Sequence, residues 1–570
     1  MQIKTIITAF VLVCAGFNAI AAQVVPQRSH REVRAVWFTT IGGLDWPKGY
    51  ANNPAEVERQ KRQLCEHLDR LQAMGINTLL LQTRIRGTVI YPSTMEPWDG
   101  CLSGKPGVSP GYDALEFAVE QCHRRGMSIQ AWVVAFPLTS IAVTKQLGRR
   151  SVVSRHPKLC LKAGDHWMMN PGVPAVGDYL ASLCAEIVKN YDVDGIHLDY
   201  IRYPEKEIPF SDAATFRKYG RGMTRSEWRR ENVTQCVRKI HSAIKAIKPW
   251  VMLSCSPVGK HDDLPRYFSY GWNARTAVAQ DVQRWMKEGI MDEILPMMYF
   301  KGNHFYPFAL DWVENSNGRV VAPGLGVYFL DGGQKNWDLQ TVTRELNFLR
   351  LYGADGQAYF RSRFLENNVK GIADYLQYLF YVRPALQPAM TWQDSIAPTA
   401  PQGVEVAKSK YEWRVSWRPS VDPTPGNSLR YNVYASDAYP VVPDSAMLIA
   451  SYMPKTEYRI DVACPASRKM FYGVTAIDRF GNESGVAHIN SPAPTLVTAN
   501  VGMRVQNGKL HVGSVDAKLL TICDECGREL KVKEADSVVD VSRLAPGYYK
   551  LYGQGRRGMA HFLGGFHIQP

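Results

Sequence analysis

At 570 residues the chain is too long for one ordinary domain and predicts two to four. Its composition, 45% hydrophobic and 21% charged without a low-complexity tract, excludes a disordered or fibrous protein. A formal net charge of +14 favours anionic partners such as envelope glycans, acidic polysaccharides or lipid headgroups, while the lack of a dense Lys/Arg tract argues against nucleic acid.

The first element is a targeting segment. Lys4 precedes an apolar run, Ile6 to Phe17, that ends at Ala19-Ile-Ala-Ala22. This is a charged start, a short hydrophobic stretch and a small-residue cleavage site, so residues 1–22 are expected to be a signal peptide. The run is too short to span a bilayer, and no later stretch is long and apolar enough to do so. The expected product is exported, without a transmembrane segment, and periplasmic, outer-membrane-associated or secreted. Lipidation at Cys14 is disfavoured because Leu12-Val13 lack the small residues such cleavage needs. Of the eleven cysteines, seven are scattered between Cys65 and Cys255, several on apolar faces. They read as buried thiols rather than a disulfide framework. Cys523-Asp-Glu-Cys526 is a single C-x-x-C, which fits a local disulfide or two free thiols better than zinc.

From Arg31 to Leu386 apolar strands alternate with amphipathic helices. Ala35 to Thr40 reads as a strand, followed by a helix carrying Val57, Leu64, Leu68 and Leu71 and ended by Gly75. Thr78 to Gln82 is the next strand. Ala114 to Arg125 is a helix with Asp113 as its N-cap, and Ser128 to Val134 is a strand. A helix with Leu180, Leu183 and Ile187 leads into the strand that carries His197 and Asp199. Further strands are predicted at Val251 to Cys255, Glu293 to Tyr299, Val320 to Val327 and Gly356 to Phe360. Eight strands with helices between most of them predict an α/β fold, a (β/α)8 TIM barrel over residues 28–390. A doubly wound sheet is the alternative, but Gly42-Gly43 after the first strand lacks the spacing of a phosphate-binding turn. After the Ile396-Ala-Pro-Thr-Ala-Pro401 linker, short alternating strands predict a β-sandwich over 396–494 and a small β-domain over 497–570.

The strand around Gly195-Ile-His-Leu-Asp199 holds the strongest chemical signal. His197 and Asp199 are two residues apart and point to one side, with Asp199 at the strand's C-terminal end, where barrel enzymes keep their chemistry. The following loop adds Tyr200, Arg202 and Tyr203. Glycoside hydrolysis ordinarily needs two carboxyl groups across the scissile bond. Asp199 is the first candidate. Glu96, held in Met95-Glu-Pro-Trp98 after the second strand, is the second; its competing role is a loop ion pair with an arginine. Asp45 follows the first strand and is a candidate for binding sugar hydroxyls or orienting another acid. Gln82 and Arg84 share one strand face and are placed to reach hydroxyls or a carboxylate, unless Arg84 is a buried partner of Glu96 or Asp199. Trp98 and Tyr299, with Trp37 and Trp132, are candidate stacking platforms. Asn170 is expected to bond across the mouth. His197 and Arg202 are candidates for contacting substrate, with a hydrogen-bonding core role the competing reading for His197; with Asp199 it makes too small a set for a metal, and no metal or other cofactor is implied.

Taken together, the barrel segments resemble the glycosyl hydrolase-like 10 family of exported TIM-barrel proteins. The resemblance rests on Arg34-Ala-Val-Trp-Phe-Thr-Thr40, Leu44-Asp-Trp-Pro47, Gly75 to Arg84, Tyr91 to Trp98, Gly111 to Leu115, His123 to Gly126, Asn170-Pro171, Asp194 to Asp199, Ser256-Pro257, Asp281 with Trp285, and Pro296-Met-Met-Tyr299. Many relatives carry two adjacent aspartates where this chain has Asp199-Tyr200. The resemblance implies a glycosidase of bacterial cell-wall (peptidoglycan) glycan. A dietary or host polysaccharide as substrate, and a binding or scaffold protein with a degenerate barrel, are the alternatives. Pro398 to Ser484 resembles a fibronectin type III module, and the tail resembles the C-terminal sorting domains of exported bacterial proteins.

Overall fold

The computed structural model describes residues 24–568 apart from positions 26, 28, 410–411, 425–427, 462, 464, 470, 489–502, 514–518, 525–528, 535–537 and 555–559. The expected signal peptide and Cys526 therefore lie outside the described residues. The described chain divides into two units, one covering residues 31–388 and one covering 389 onward together with a short N-terminal piece.

The first unit is built on eight parallel strands: β1 (Val33–Phe38), β2 (Thr78–Arg84), β3 (Ser128–Val134), β4 (Gly195–Asp199), β5 (Met252–Cys255), β6 (Glu293–Ile294), β7 in two segments (Val320–Val321 and Gly324–Leu325), and β8 (Gly356–Tyr359). Each pairs with the next, and β8 pairs back on β1, Val33 opposite Gly356. The first segment of β7 pairs with β6 and the second with β8, so the sheet closes on itself. Closure makes this a (β/α)8 barrel and removes the doubly wound alternative. β6 and β7 are shorter than their apolar runs predict. Pro296 and Pro323 lack the N–H a continuous ladder needs, and each interrupts its strand.

Helices cover the outside: α1 (Pro54–Ala73), α2 (Ala114–Arg124), α3 (Pro174–Asn190), α4 (Arg225–Lys245), α5 (Val282–Lys287), α6 (Tyr306–Glu314) and α7 (Leu339–Leu351). α1 starts at Asn53, whose side chain accepts from the Glu56 N–H, and buries Leu64, Leu68 and Leu71 against the barrel; Val57 stays half-exposed. Asp113 caps α2 by accepting from the Leu115 and Glu116 N–H groups, as predicted. All the strand residues but a few at the ends are buried, which is why these strands read as continuous apolar runs rather than alternating ones.

Inside the barrel, large and small residues must interdigitate. A Cβ on Gly324 would lie 2.6 Å from the Trp37 ring, so glycine here is the space the indole occupies. The described cysteines from Cys65 to Cys255 are all free thiols, and all of them but Cys65 are buried, as is Cys523.

The second unit is antiparallel β-structure. A three-stranded sheet (Gln402–Lys408, Glu412–Arg418, Glu457–Asp461) and a four-stranded sheet (Met447–Met453, Arg430–Ser436, Phe471–Ile477, Ala487–His488) share one core that includes Val415, Trp417, Ile460, Val433 and Val474. This is a sandwich. Beyond it, further three- and four-stranded sheets enclose a separate core around Leu510, Ile522, Val539 and Leu551.

Candidate active site at the barrel mouth

Asp199 is the last residue of β4, at the C-terminal mouth, and is only 6% exposed. Its Oδ2 accepts from the Trp132 indole N–H at 3.1 Å; its Oδ1 accepts from the Tyr200 N–H at 2.7 Å and the Ser256 hydroxyl at 3.2 Å. Burial pushes this carboxyl above its ordinary value, against the opposing pull of the Arg202 guanidinium and those three donors. Tyr200 has a φ of +50°, a conformation rarely occupied by an aromatic residue, and is 41% exposed. The left-handed residue swings the chain off the strand and sets the phenol at the mouth. Non-glycine residues held in this region cost about 1–3 kcal/mol and cluster at functional sites.

Beneath Asp199 runs a directed hydrogen-bond chain. The Trp37 indole donates to His197 Nε2 (3.0 Å), so the ring proton sits on Nδ1 and is donated to the Ser254 hydroxyl (2.8 Å). Ser254 donates to Gln130 Oε1 (2.5 Å), and Gln130 Nε2 donates to Glu293 (2.6 Å). Burial drives the His197 pKa down to about 3, so the ring is a neutral, buried link between Trp37 and Ser254. Glu293 is fully enclosed and pushed up to about 7 by desolvation. This chain fixes the floor on which the β4 carboxyl stands.

The remaining predicted residues take more varied places. Glu96 does not line the mouth: its side chain is wholly buried, with Arg84 donating from Nε at 2.8 Å and Nη2 at 2.7 Å, and the Tyr179 hydroxyl donating at 3.0 Å. The predicted second catalytic acid is thus one half of a closed fork with Arg84, which also donates to the Val134 and Ala135 carbonyls. Arg84 in turn is fully buried, with four of its five N–H donors engaged by these partners. Asp45 is likewise spent: it accepts from the Thr39 N–H and hydroxyl, from Arg361 and from the Arg363 N–H, tying the loop after β1 to the chain after β8. Gln82 accepts from the Thr40 and Ile41 N–H groups rather than facing substrate. Asn170 donates to the Thr215 hydroxyl at 2.8 Å and accepts from the Gly172 N–H at 3.1 Å. Trp98 packs on the barrel core, and Trp37 and Trp132 are buried hydrogen-bond donors rather than stacking platforms. Tyr299 is half-buried, its ring centroid 5.7 Å from those of Phe360 and Tyr328.

What opens at the mouth is a cleft of about 340 Å³ whose walls include Arg86, Tyr200, Arg202, Glu205, His166 and Trp167. Arg86 follows β2. His166 and Trp167 stand on a three-stranded antiparallel insert (Pro137–Ser140, Cys160–Ala163, His166–Met169) between β3 and α3. Arg202 lies between two rings, its Cζ 4.7 Å from the Tyr200 centroid and 5.6 Å from that of Trp272, and donates to Glu205 at 2.9 Å. Among the described residues its buried Nε has no hydrogen-bond partner. Arg86 contacts His166 Nε2 at 3.1 Å, and His166 Nδ1 is 2.6 Å from Asp165. Of these, sequence analysis placed only Tyr200 and Arg202. Arg86, the insert and Trp272 gave no local signal, since loops from β2, β3, β4 and β5 meet only in three dimensions. Among the described residues no group of three or more His, Cys, Asp or Glu is arranged to hold a metal ion, and no helix is long and apolar enough to cross a membrane.

Glycosyl hydrolase YngK of Bacillus subtilis strain 168 is 30% identical over 484 residues, 80% of this chain and 92% of that protein. Glycosyl hydrolase DigH of Escherichia coli K12 is 34% identical over 299 residues, 48% of this chain and 67% of that protein. The solved PgaB (BpsB) glycoside hydrolase domain from Bordetella bronchiseptica aligns with 63% of this chain and 100% of its own length, at 14% identity and a TM-score of 0.44. The protein is a glycoside hydrolase built on a (β/α)8 barrel. The profile of the glycosyl hydrolase-like 10 family matches residues 32–339, and the chain belongs to that family.

Proposed function

We propose that this glycosidase cleaves bacterial cell-wall glycan strands outside the cytoplasm, with Asp199 as the carboxyl at the reacting centre. The observation that carries the reading is the pairing of a buried Asp199, its carboxyl raised by desolvation, with an adjoining cleft walled by Arg86 and Arg202. Peptide-stripped glycan bears lactyl carboxylates, which a guanidinium-lined cleft attracts. A carboxyl raised by desolvation is suited to donate its proton to the departing glycosidic oxygen as the C–O bond breaks. Because the Glu96 and Asp45 side chains are wholly buried in their ion pairs, whereas Glu205, though tethered to Arg202, is 37% exposed on the cleft wall, we assign the partner role to Glu205. It would serve as base toward water or as nucleophile toward the anomeric carbon. The sandwich at 396–494 we read as a fibronectin type III-like spacer, from its three- and four-stranded sheets, and 497–570 as a separate C-terminal β-domain.

The test is mass spectrometry of products after incubating the full chain with peptide-stripped peptidoglycan strands, beside Asp199→Asn, Glu205→Gln and a neutral polysaccharide. Sugars released by the native protein and lost in both variants support the assignment. Loss with Asp199→Asn alone would transfer the second role to the substrate's own acetamido group, a known variant of this chemistry. Release only from the neutral polysaccharide would refute the cell-wall substrate.

A further inference from the structure

Between β5 and α5 the loop 260–272 places four aromatic residues within six positions: Tyr267, Phe268, Tyr270 and Trp272. All four are exposed, Phe268 at 87% and Trp272 at 47%. Large exposed rings gathered in one place mark a binding surface more often than chance. The loop is not loose chain. Leu264 and Ser269 pair through both backbone hydrogen bonds, at 2.7 and 3.2 Å, closing a tight turn. The Gly271 N–H donates to Asp263 at 3.0 Å. From below, the buried Lys260 ammonium donates to the Tyr270 carbonyl at 3.2 Å, sits 2.8 Å from His304 Nδ1, and lies about 5 Å from the Phe300 and Phe308 ring centroids. At the tip Phe268 has a φ of +50°, where asparagine or glycine would be at ease and a bulky residue is not. A phenylalanine that is both conformationally disfavoured and 87% exposed buries little apolar surface in the fold to offset that backbone cost.

The loop is continuous with the cleft. Arg202 is stacked between Trp272 on this loop and Tyr200 beside Asp199, so the aromatic surface begins at the wall of the candidate active site and leads away from it. We infer that loop 260–272 is an outer glycan-binding platform, on which sugars of the same strand several units from the scissile bond stack their C–H faces against Trp272, Tyr270 and Phe268. Aromatic rings suit this task because they offer a large, rigid, apolar face at low entropic cost. The occupant is a polysaccharide strand rather than a protein or a membrane, because the surface is an extension of a cleft whose chemistry is that of a glycosidase. The inference rests on Asp199 marking the reacting centre.

The decisive variant is Phe268→Asn, which removes the ring and suits the left-handed backbone. Peptide-stripped peptidoglycan strands and a tetrasaccharide prepared from them are compared as substrates of the full chain. The ratio of kcat/KM on long strands to that on the tetrasaccharide is expected to fall about tenfold, the loss of one stacking contact. An unchanged ratio overturns the inference. A second readout is independent of turnover: cosedimentation of Asp199→Asn, with and without Phe268→Asn, on insoluble peptidoglycan, chitin and cellulose, and on anionic phospholipid vesicles. Ring-dependent retention on any of the glycans supports the platform even if no strand is cleaved, in which case the cell-wall reading falls and this one stands. No retention on any glycan, or ring-dependent retention on vesicles alone, overturns it.

Discussion

Replacing Glu96 with alanine separates a catalytic acid from a structural one. In the folded protein Arg84 is fully enclosed, and Glu96 supplies both of its carboxylate partners, at 2.7 and 2.8 Å. Burial alone would lower the guanidinium's affinity for its proton, but the Glu96 charge reverses this and the side chain stays ionised. Glu96→Ala therefore leaves a buried cation with only the Val134 and Ala135 carbonyls and strips the Tyr179 hydroxyl of its acceptor. Breaking a buried pair from one side costs about 3–5 kcal/mol, because the remaining charge is uncompensated. With an m-value near 3 kcal/mol/M for urea, the barrel transition should move down by roughly 1–1.7 M. Replacing both residues, as Arg84→Met with Glu96→Leu, should restore much of the loss, since well-packed apolar residues often substitute for a buried pair at little cost. The assay is urea unfolding followed by tryptophan fluorescence, read beside kcat. A Glu96→Ala protein of native stability with a thousandfold lower kcat would refute this reasoning and return Glu96 to the catalytic pair.

Three further outcomes follow from the geometry. Glu293 titrates near 7 in the folded barrel but near its ordinary 4.5 when unfolded, so its contribution is intact below about pH 4.5 and is lost as pH rises through 7, by about 3 kcal/mol; Glu293→Gln should abolish that fall in a pH series of unfolding midpoints, and a parallel pH dependence would contradict it. The basic limb of the kcat/KM profile should lie above the ordinary carboxylate range because Asp199 is raised, and Ser256→Ala should move it higher still by removing a donor to the ionised form. A limb at the ordinary position, or one that Ser256→Ala leaves in place, would argue against Asp199 as the acid. Gly324→Ala should cost about 1–3 kcal/mol by driving a methyl against Trp37, with a changed near-ultraviolet circular dichroism signal from the indole; native stability and spectrum would show that the interior has room.

The sequence by itself determined the elements that depend on local pattern. Strand β3 has the predicted bounds, α1 and α2 fall within two or three residues of prediction, and Asp113 caps α2, because apolar period and capping chemistry are read from neighbours in the chain. It also set Asp199 at a strand end, since the period of two and the position in the run are local facts. Strand length was legible only in part: the apolar runs at 293–299 and 320–327 hide the breaks that Pro296 and Pro323 impose. What the sequence could not decide was which charges neutralise one another. Glu96 and Asp45 look like available acids in one dimension, and become spent ones when Arg84 lies 12 residues from the first and Arg361 lies 316 residues from the second. Trp37 and Trp132 read as stacking platforms until barrel closure turns them inward as donors to His197 and Asp199. The cleft itself, with Arg86 and His166 brought to Arg202 by three separate loops and Trp272 reaching the same guanidinium from a fourth, exists only because eight parallel strands deliver their C-terminal ends to one rim.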